Sequence, residues 1–117
     1  MKILRSMYHM SLGYRFMRLI VFFDLPMITK SELRTYTQFR KSLIKDGFVM
    51  MQESVYTKIL LNGTMAQLTM EKLKKYVPNK GLVQSLLVTE KQFTSIKYLT
   101  GTKKSIVNDT DDRLVMY

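Results

Sequence analysis

A chain of 117 residues, 46% of them hydrophobic, has enough apolar content for one core and too little length for two domains. Nineteen Lys and Arg against nine Asp and Glu give a formal net charge of +10, which points to a polyanionic partner, nucleic acid foremost. Cysteine is absent, so disulfides, thiol nucleophiles and Cys-ligated zinc are excluded, and His9 as the lone histidine argues against a His-based triad. Hydrolytic chemistry would then fall to carboxylates and a hard, oxygen-seeking cation such as Mg²⁺. Lys2 and Arg5 precede a mixed rather than apolar stretch, so no signal peptide is read and a cytoplasmic protein is expected.

The first predicted element is the apolar run from Phe16 to Phe23, ended by Asp24-Leu25-Pro26. It falls short of the about 20 apolar residues a membrane span needs, and its Ile, Val and Phe content suits a strand buried on both faces. Asp24 then stands at the strand's exit, where Pro26 cannot donate to a ladder. Thr29-Lys30-Ser31-Glu32 is a capping-box pattern that opens a helix, and Asp46-Gly47 closes it. On that helix Tyr36, Phe39 and Leu43 share one side, while Lys30, Arg34, Lys41 and Lys45 share the other as a positive stripe.

From Phe48 to Leu61 the composition turns to Val, Met, Tyr, Thr and Ile, which predicts two strands around a turn or bulge at Gln52-Glu53-Ser54. Asn62-Gly63-Thr64 resets the chain into a second helix, with Ala66, Met70, Leu73 and Val77 inward and Lys72 and Lys75 outward, stopped by Pro78-Asn79-Lys80-Gly81. Leu82 through Val88 is a fourth strand, Gln92-Phe93 starts a short connection, and Ile96 to Leu99 is a weaker strand. Residues beyond Gly101 read as a tail with an acidic turn at Asp109 to Asp112 and a candidate edge strand at Leu114, Val115 and Met116.

Strand, helix, strand, strand, helix, strand is the order of a ferredoxin-like α+β fold, in which two helices cover one face of an antiparallel sheet. The first strand is apolar on both faces, since Met17, Leu19, Val21 and Phe23 alternate with Arg18, Ile20, Phe22 and Asp24. Leaving the apolar pair of one face, Ile20 and Phe22, in water forgoes roughly 1.5–3 kcal/mol each, about 3–6 together, a large share of a domain stability of about 5–15 kcal/mol. A second copy of the same sheet is the expected cover.

Several separated segments resemble one known family: Tyr14 to Pro26, the helix from Lys30 to Phe48 with its YTQFRKSLIKDGF run, Gln52 to Tyr56, Leu87 to Phe93, and Asp112 to Val115. They are similar to the small CRISPR adaptation subunit, CRISPR-associated protein two, in the form found with type II systems. The match covers residues 10 to 117. Met10 resembles the usual starting point, which leaves residues 1–9 as an extension expected to be disordered, 10–100 as the ferredoxin-like domain and 101–117 as the tail.

The resemblance implies a homodimer that bridges two CRISPR integrase dimers and holds a short double-stranded prespacer DNA. Some members are also described as Mg²⁺-dependent nucleases on single-stranded RNA or duplex DNA, with the acid ending the first strand as metal ligand; here that acid is Asp24. Many relatives carry Tyr before it, where this chain has Phe23. Two copies of Asp24 at a two-fold axis could share one cation and activate water, whereas a strand-ending Asp also commonly accepts hydrogen bonds from the following turn.

Arg15 and Arg18, with Lys30, Arg34, Lys41 and Lys45, are the expected phosphate contacts, and a phosphate or Asp24 is the expected partner of Arg18. Leu114, Val115 and Met116 are expected to add a strand to the second protomer or to the integrase. One well-placed acid is a poor catalytic set, so an architectural subunit is the leading function and a Mg²⁺-dependent endonuclease the alternative. An RNA-recognition motif fits less well, because Gly47-Phe48-Val49 enters the second strand rather than the third.

Overall fold

The computed structural model describes residues 16–101. Arg15, residues 1–9, and the tail with Leu114, Val115 and Met116 lie outside them. Four strands, β1 (Met17–Asp24), β2 (Val49–Gln52), β3 (Val55–Leu60) and β4 (Leu82–Thr89), form one antiparallel sheet in the order β2-β3-β1-β4. Helices α1 (Lys30–Lys45) and α2 (Gly63–Leu73) complete the ferredoxin-like βαββαβ arrangement, and a short α3 (Glu90–Phe93) follows β4.

Local signals set the element ends. Thr29 caps α1 by accepting from the Glu32 N–H at 3.0 Å while the Glu32 carboxylate accepts from the N–H groups of Thr29 and Ile28, so the capping box is complete. Gly47 leaves α1 at φ 95°, a conformation glycine adopts without strain. Ser54 turns β2 into β3 at φ 65°, and the register shifts between Met50 and Gln52 as a bulge would require. Asn62 caps α2 by accepting from Met65.

Two expectations are corrected. Helix α2 stops at Leu73, because Lys75 and Tyr76 tighten onto the carbonyls of Lys72 and Leu73; Val77 therefore lies beyond the helix and is partly exposed, although Ala66 and Leu73 are buried as the spacing predicted. Residues Ile96 to Leu99 form no strand. A second capping box, Thr89 with Gln92, turns the chain into α3 at the end of β4, and the next amides bond back to Glu90, Gln92 and Phe93 instead of to a neighbouring strand.

The core lies between the sheet and the two long helices. Leu19, Val21 and Phe23 of β1 pack there with Leu25, Phe39, Leu43, Tyr56, Leu60, Ala66 and Leu73. The Phe23 ring meets Phe39 edge-on at 5.1 Å and stacks with Tyr56 at 5.7 Å.

Asp46, at the C-terminal cap of α1, ties three elements together. Its carboxylate accepts from the Tyr76 hydroxyl at 2.7 Å and pairs with Lys72 at 3.1 Å, and its carbonyl accepts from the Lys58 ammonium at 2.5 Å. Burial favours the neutral acid, but the Tyr76 and Lys72 hydrogen bonds and the Lys72 and Lys58 charges outweigh it, so the carboxyl is held below its ordinary value of 3.8. Burial, followed by the hydrogen bond to Asp46 and the charge of that carboxylate, pushes the Tyr76 phenol up.

A depressed carboxyl contributes stability that is complete above its unfolded-state pKa and is lost as pH falls through the folded one. Tyr76→Phe should therefore cost about 1.5–3 kcal/mol at neutral pH, as expected for a hydrogen bond to a charged group. In urea titrations the gap from the parent chain should narrow once the pH drops below 3.8, the ordinary value of the Asp46 carboxyl. A gap of the same size at every pH would show that Asp46 is not the group involved.

Candidate functional site

In an antiparallel ladder, directly opposed residues share a face. The register therefore puts Arg18 with Ile59 and Val88, Ile20 with Thr57 and Leu86, Phe22 with Val55 and Gln84, and Asp24 with Leu82, all on the face away from α1 and α2. Ile20 and Thr57 at its centre are buried, but Phe22 is 36% exposed, Ile59 48%, Leu86 51% and Leu82 54%. Val49 of β2, opposite Thr57, extends the same apolar surface.

Asp24 stands at the upper border of this face, exposed, beside a shallow hollow of about 160 Å³ lined by Phe22, Ser54, Val55, Leu82 and Gln84. Among the described residues its carboxylate accepts no hydrogen bond. The turn that might have supplied donors is satisfied elsewhere, since the N–H groups of Ile28 and Thr29 both go to Glu32. Asp24 is thus a free acid, not a turn cap. The Phe23 ring lies in the helix-side core, so the hydroxyl of a tyrosine there would point away from the face that carries the acid.

No three His, Cys, Asp or Glu side chains come together among the described residues. Mg²⁺ takes near-octahedral oxygen ligation, and one carboxylate of one chain does not fit it. Two copies of Asp24 would supply the acidic oxygens only if two of these faces met.

Arg18 is placed differently from expectation. Within the chain its partner is Glu90 rather than Asp24: the guanidinium donates through Nε to Glu90 Oε1 at 2.9 Å and through Nη2 to Oε2 at 2.6 Å, and it lies 4.2 Å from the centre of the Phe93 ring. This bidentate, stacked pair holds α3 against the lower end of the face, opposite the end bearing Asp24. Lys30, Arg34, Lys41 and Lys45 are all exposed on α1, on the side turned away from buried Phe39 and Leu43. The structure brings these four together as a stripe and keeps them apart from Asp24's face.

A βαββαβ sheet that, among the described residues, carries exposed apolar side chains on the face away from its helices and an acid at that face's border defines a ferredoxin-like domain. The chain belongs to the CRISPR-associated Cas2 family: the profile described as "CRISPR associated protein Cas2" matches residues 17–96. Proteins named "CRISPR-associated endoribonuclease Cas2" are 47% identical in Treponema denticola and 41% in Ligilactobacillus salivarius, each over 100 residues that make up 86% of this chain and 99% of the relative. A solved chain described as "Crystal structure of cas2" superposes with a TM-score of 0.53 at 21% identity, covering 86% of this chain and 99% of that one, and supports the fold. Among the described residues, no helix is long and apolar enough to cross a membrane.

Proposed function

We propose that this chain is a homodimeric architectural subunit of a CRISPR spacer-acquisition complex, bridging integrase dimers and holding prespacer DNA by its backbone. The observation that carries the reading is the open sheet face, whose exposed Phe22, Ile59, Leu82 and Leu86 ask for a self-complementary cover. The poverty of catalytic groups favours architecture over turnover. A second reading, a Mg²⁺-dependent endoribonuclease, is favoured by the free carboxylate of Asp24 and by the names of the relatives. In it, paired copies of Asp24 would hold the cation, which would supply an activated water for phosphodiester attack.

A dimer closed over this face should be lost when a charge is placed in it. Leu86→Glu is expected to give a folded monomer by light scattering at micromolar concentration, because two carboxylates would be buried against apolar surface. A stable dimer in that variant would move the interface elsewhere.

Face-to-face packing also fixes where the basic stripes point. Stacked sheets lie about 10 Å apart and each helix with its side chains is about 10–12 Å across, so the two stripes stand at least about 30 Å apart on opposite sides. One straight duplex then meets the four cations of one stripe, not eight from both. Sequence-tolerant binding with a log–log salt slope of about −3.6 is expected, rather than the roughly −7 that both stripes would give. A slope near zero would remove the stripe from the interface.

Asp24→Asn keeps the shape of the side chain and removes the charge a cation needs. Spacer integration by the complex reconstituted with the integrase should survive it, because in this reading the integrase carries the strand-transfer chemistry. Any Mg²⁺-dependent cleavage of single-stranded RNA should disappear. Lost integration with an intact, DNA-binding dimer would overturn the architectural reading.

A further inference from the structure

Asp24 leaves the sheet between two residues in the left-handed backbone region. On the β3 side, Ser54 sits at φ 65° and its carbonyl accepts from the Phe23 N–H at 3.0 Å, which carries the pairing one step past Phe22 and Val55. On the β4 side, Gly81 sits at φ 90°, directly before Leu82, the residue opposite Asp24. A Cβ on Gly81 would stand 2.7 Å from the Asp24 carbonyl oxygen, 2.8 Å from Leu25 Cδ2 and 3.1 Å from Leu25 Cα.

That contact differs in kind from those of the other described glycines. A Cβ at Gly63 or Gly101 would meet nothing within 4 Å, and at Gly47 it would meet the flexible end of Lys58. Two of the three atoms facing Gly81 are backbone, and Leu25 is anchored in the core. A side chain at 81 can therefore be accommodated only by moving the main chain at Asp24 and Leu25, at the border of the open face.

We propose that Gly81 is the positioning residue for Asp24: its missing side chain lets β4 close against the Asp24 carbonyl, and this sets where the carboxylate stands on the open face. The proposal rests on the reading above, in which two copies of Asp24 approach each other across a sheet-face dimer.

The absence of cysteine makes the test direct. Asp24→Cys gives the full chain one thiol, and a short bis-maleimide links the dimer only if the two positions approach. Adding Gly81→Ala should slow this crosslinking several-fold at equal dimer content by light scattering. Gly81→Asn is the companion variant, because Asn tolerates the left-handed region better than Ala yet still places a Cβ against the Asp24 carbonyl; it should slow crosslinking as well. Ala66→Gly, which loosens the core away from this border, should lower thermal stability and leave the crosslinking rate unchanged.

If Asp24→Cys dimers do not crosslink, the paired-acid reading fails and the proposal with it. If they do, and Gly81→Asn crosslinks as fast, the positioning role alone is wrong. Loss of the dimer in both Gly81 variants would show that the glycine sets the fold rather than the placement of the acid, and would overturn the proposal too.

Discussion

A four-stranded sheet has two faces, and two helices can cover one. That constraint governs this molecule, because β1, one of the two inner strands, is apolar on each. Leu19, Val21 and Phe23 feed the helix-side core, and Ile20 and Phe22 point the other way. An antiparallel sheet can face water with polar side chains, but here the second face carries Ile20, Phe22, Ile59, Leu82 and Leu86, with Ile20 and Thr57 buried at its centre. In the proposed dimer, association would be the physical counterpart of the core, formed from the reverse side of the same strand.

The helix side and the bare side are fastened by different means. Behind the sheet, Asp46 gathers Tyr76, Lys72 and Lys58 so that the end of α1, the segment after α2, and β3 share one polar junction. At the lower end of the bare face, the Arg18–Glu90 pair is shielded enough, at 15% and 22% side-chain exposure, to be worth more than a solvated ion pair, and the Phe93 ring covers it further. Among the described residues, one buried side-chain polar atom is left open: the Tyr56 hydroxyl, toward which Arg40 reaches without closing a well-formed hydrogen bond. A buried phenol without a firm partner is destabilising by about 1–3 kcal/mol; the Tyr56 ring stacks with Phe23 at 5.7 Å.

Much of this was legible in the sequence where the cause is local. Thr29 with Glu32, Asp46-Gly47, the turn at Ser54 and the cap at Asn62 each act within a few residues, and each ends an element where the pattern placed it. The apolar character of both faces of β1 was equally plain, since alternation alone assigns the faces. What escaped was either too short for periodicity or too distant in sequence. Helix α3 has four residues, and its only signal, Thr89 three places before Gln92, was available but stood inside a stretch read as connection. The partner of Arg18 lies 72 residues away, and no spacing rule reaches that far. Asp24's freedom depends on Glu32 having taken the turn's amides, a competition decided only once α1 is in place.

The position of that acid ties any chemistry to assembly. A free carboxylate costs little at the exposed border of an apolar face, but bringing a second copy to it is unfavourable while both are charged, because like charges near a low-dielectric surface repel. A cation or a donor from a partner would reverse the sign. In the proposed dimer, the apolar residues between Asp24 and the Arg18 clamp would supply an attraction that does not depend on charge and would hold the two acids near each other. In such a dimer Asp24 would be a site of adjustable repulsion at the edge of a hydrophobic contact, and a cation bound there would decide how tightly that edge closes.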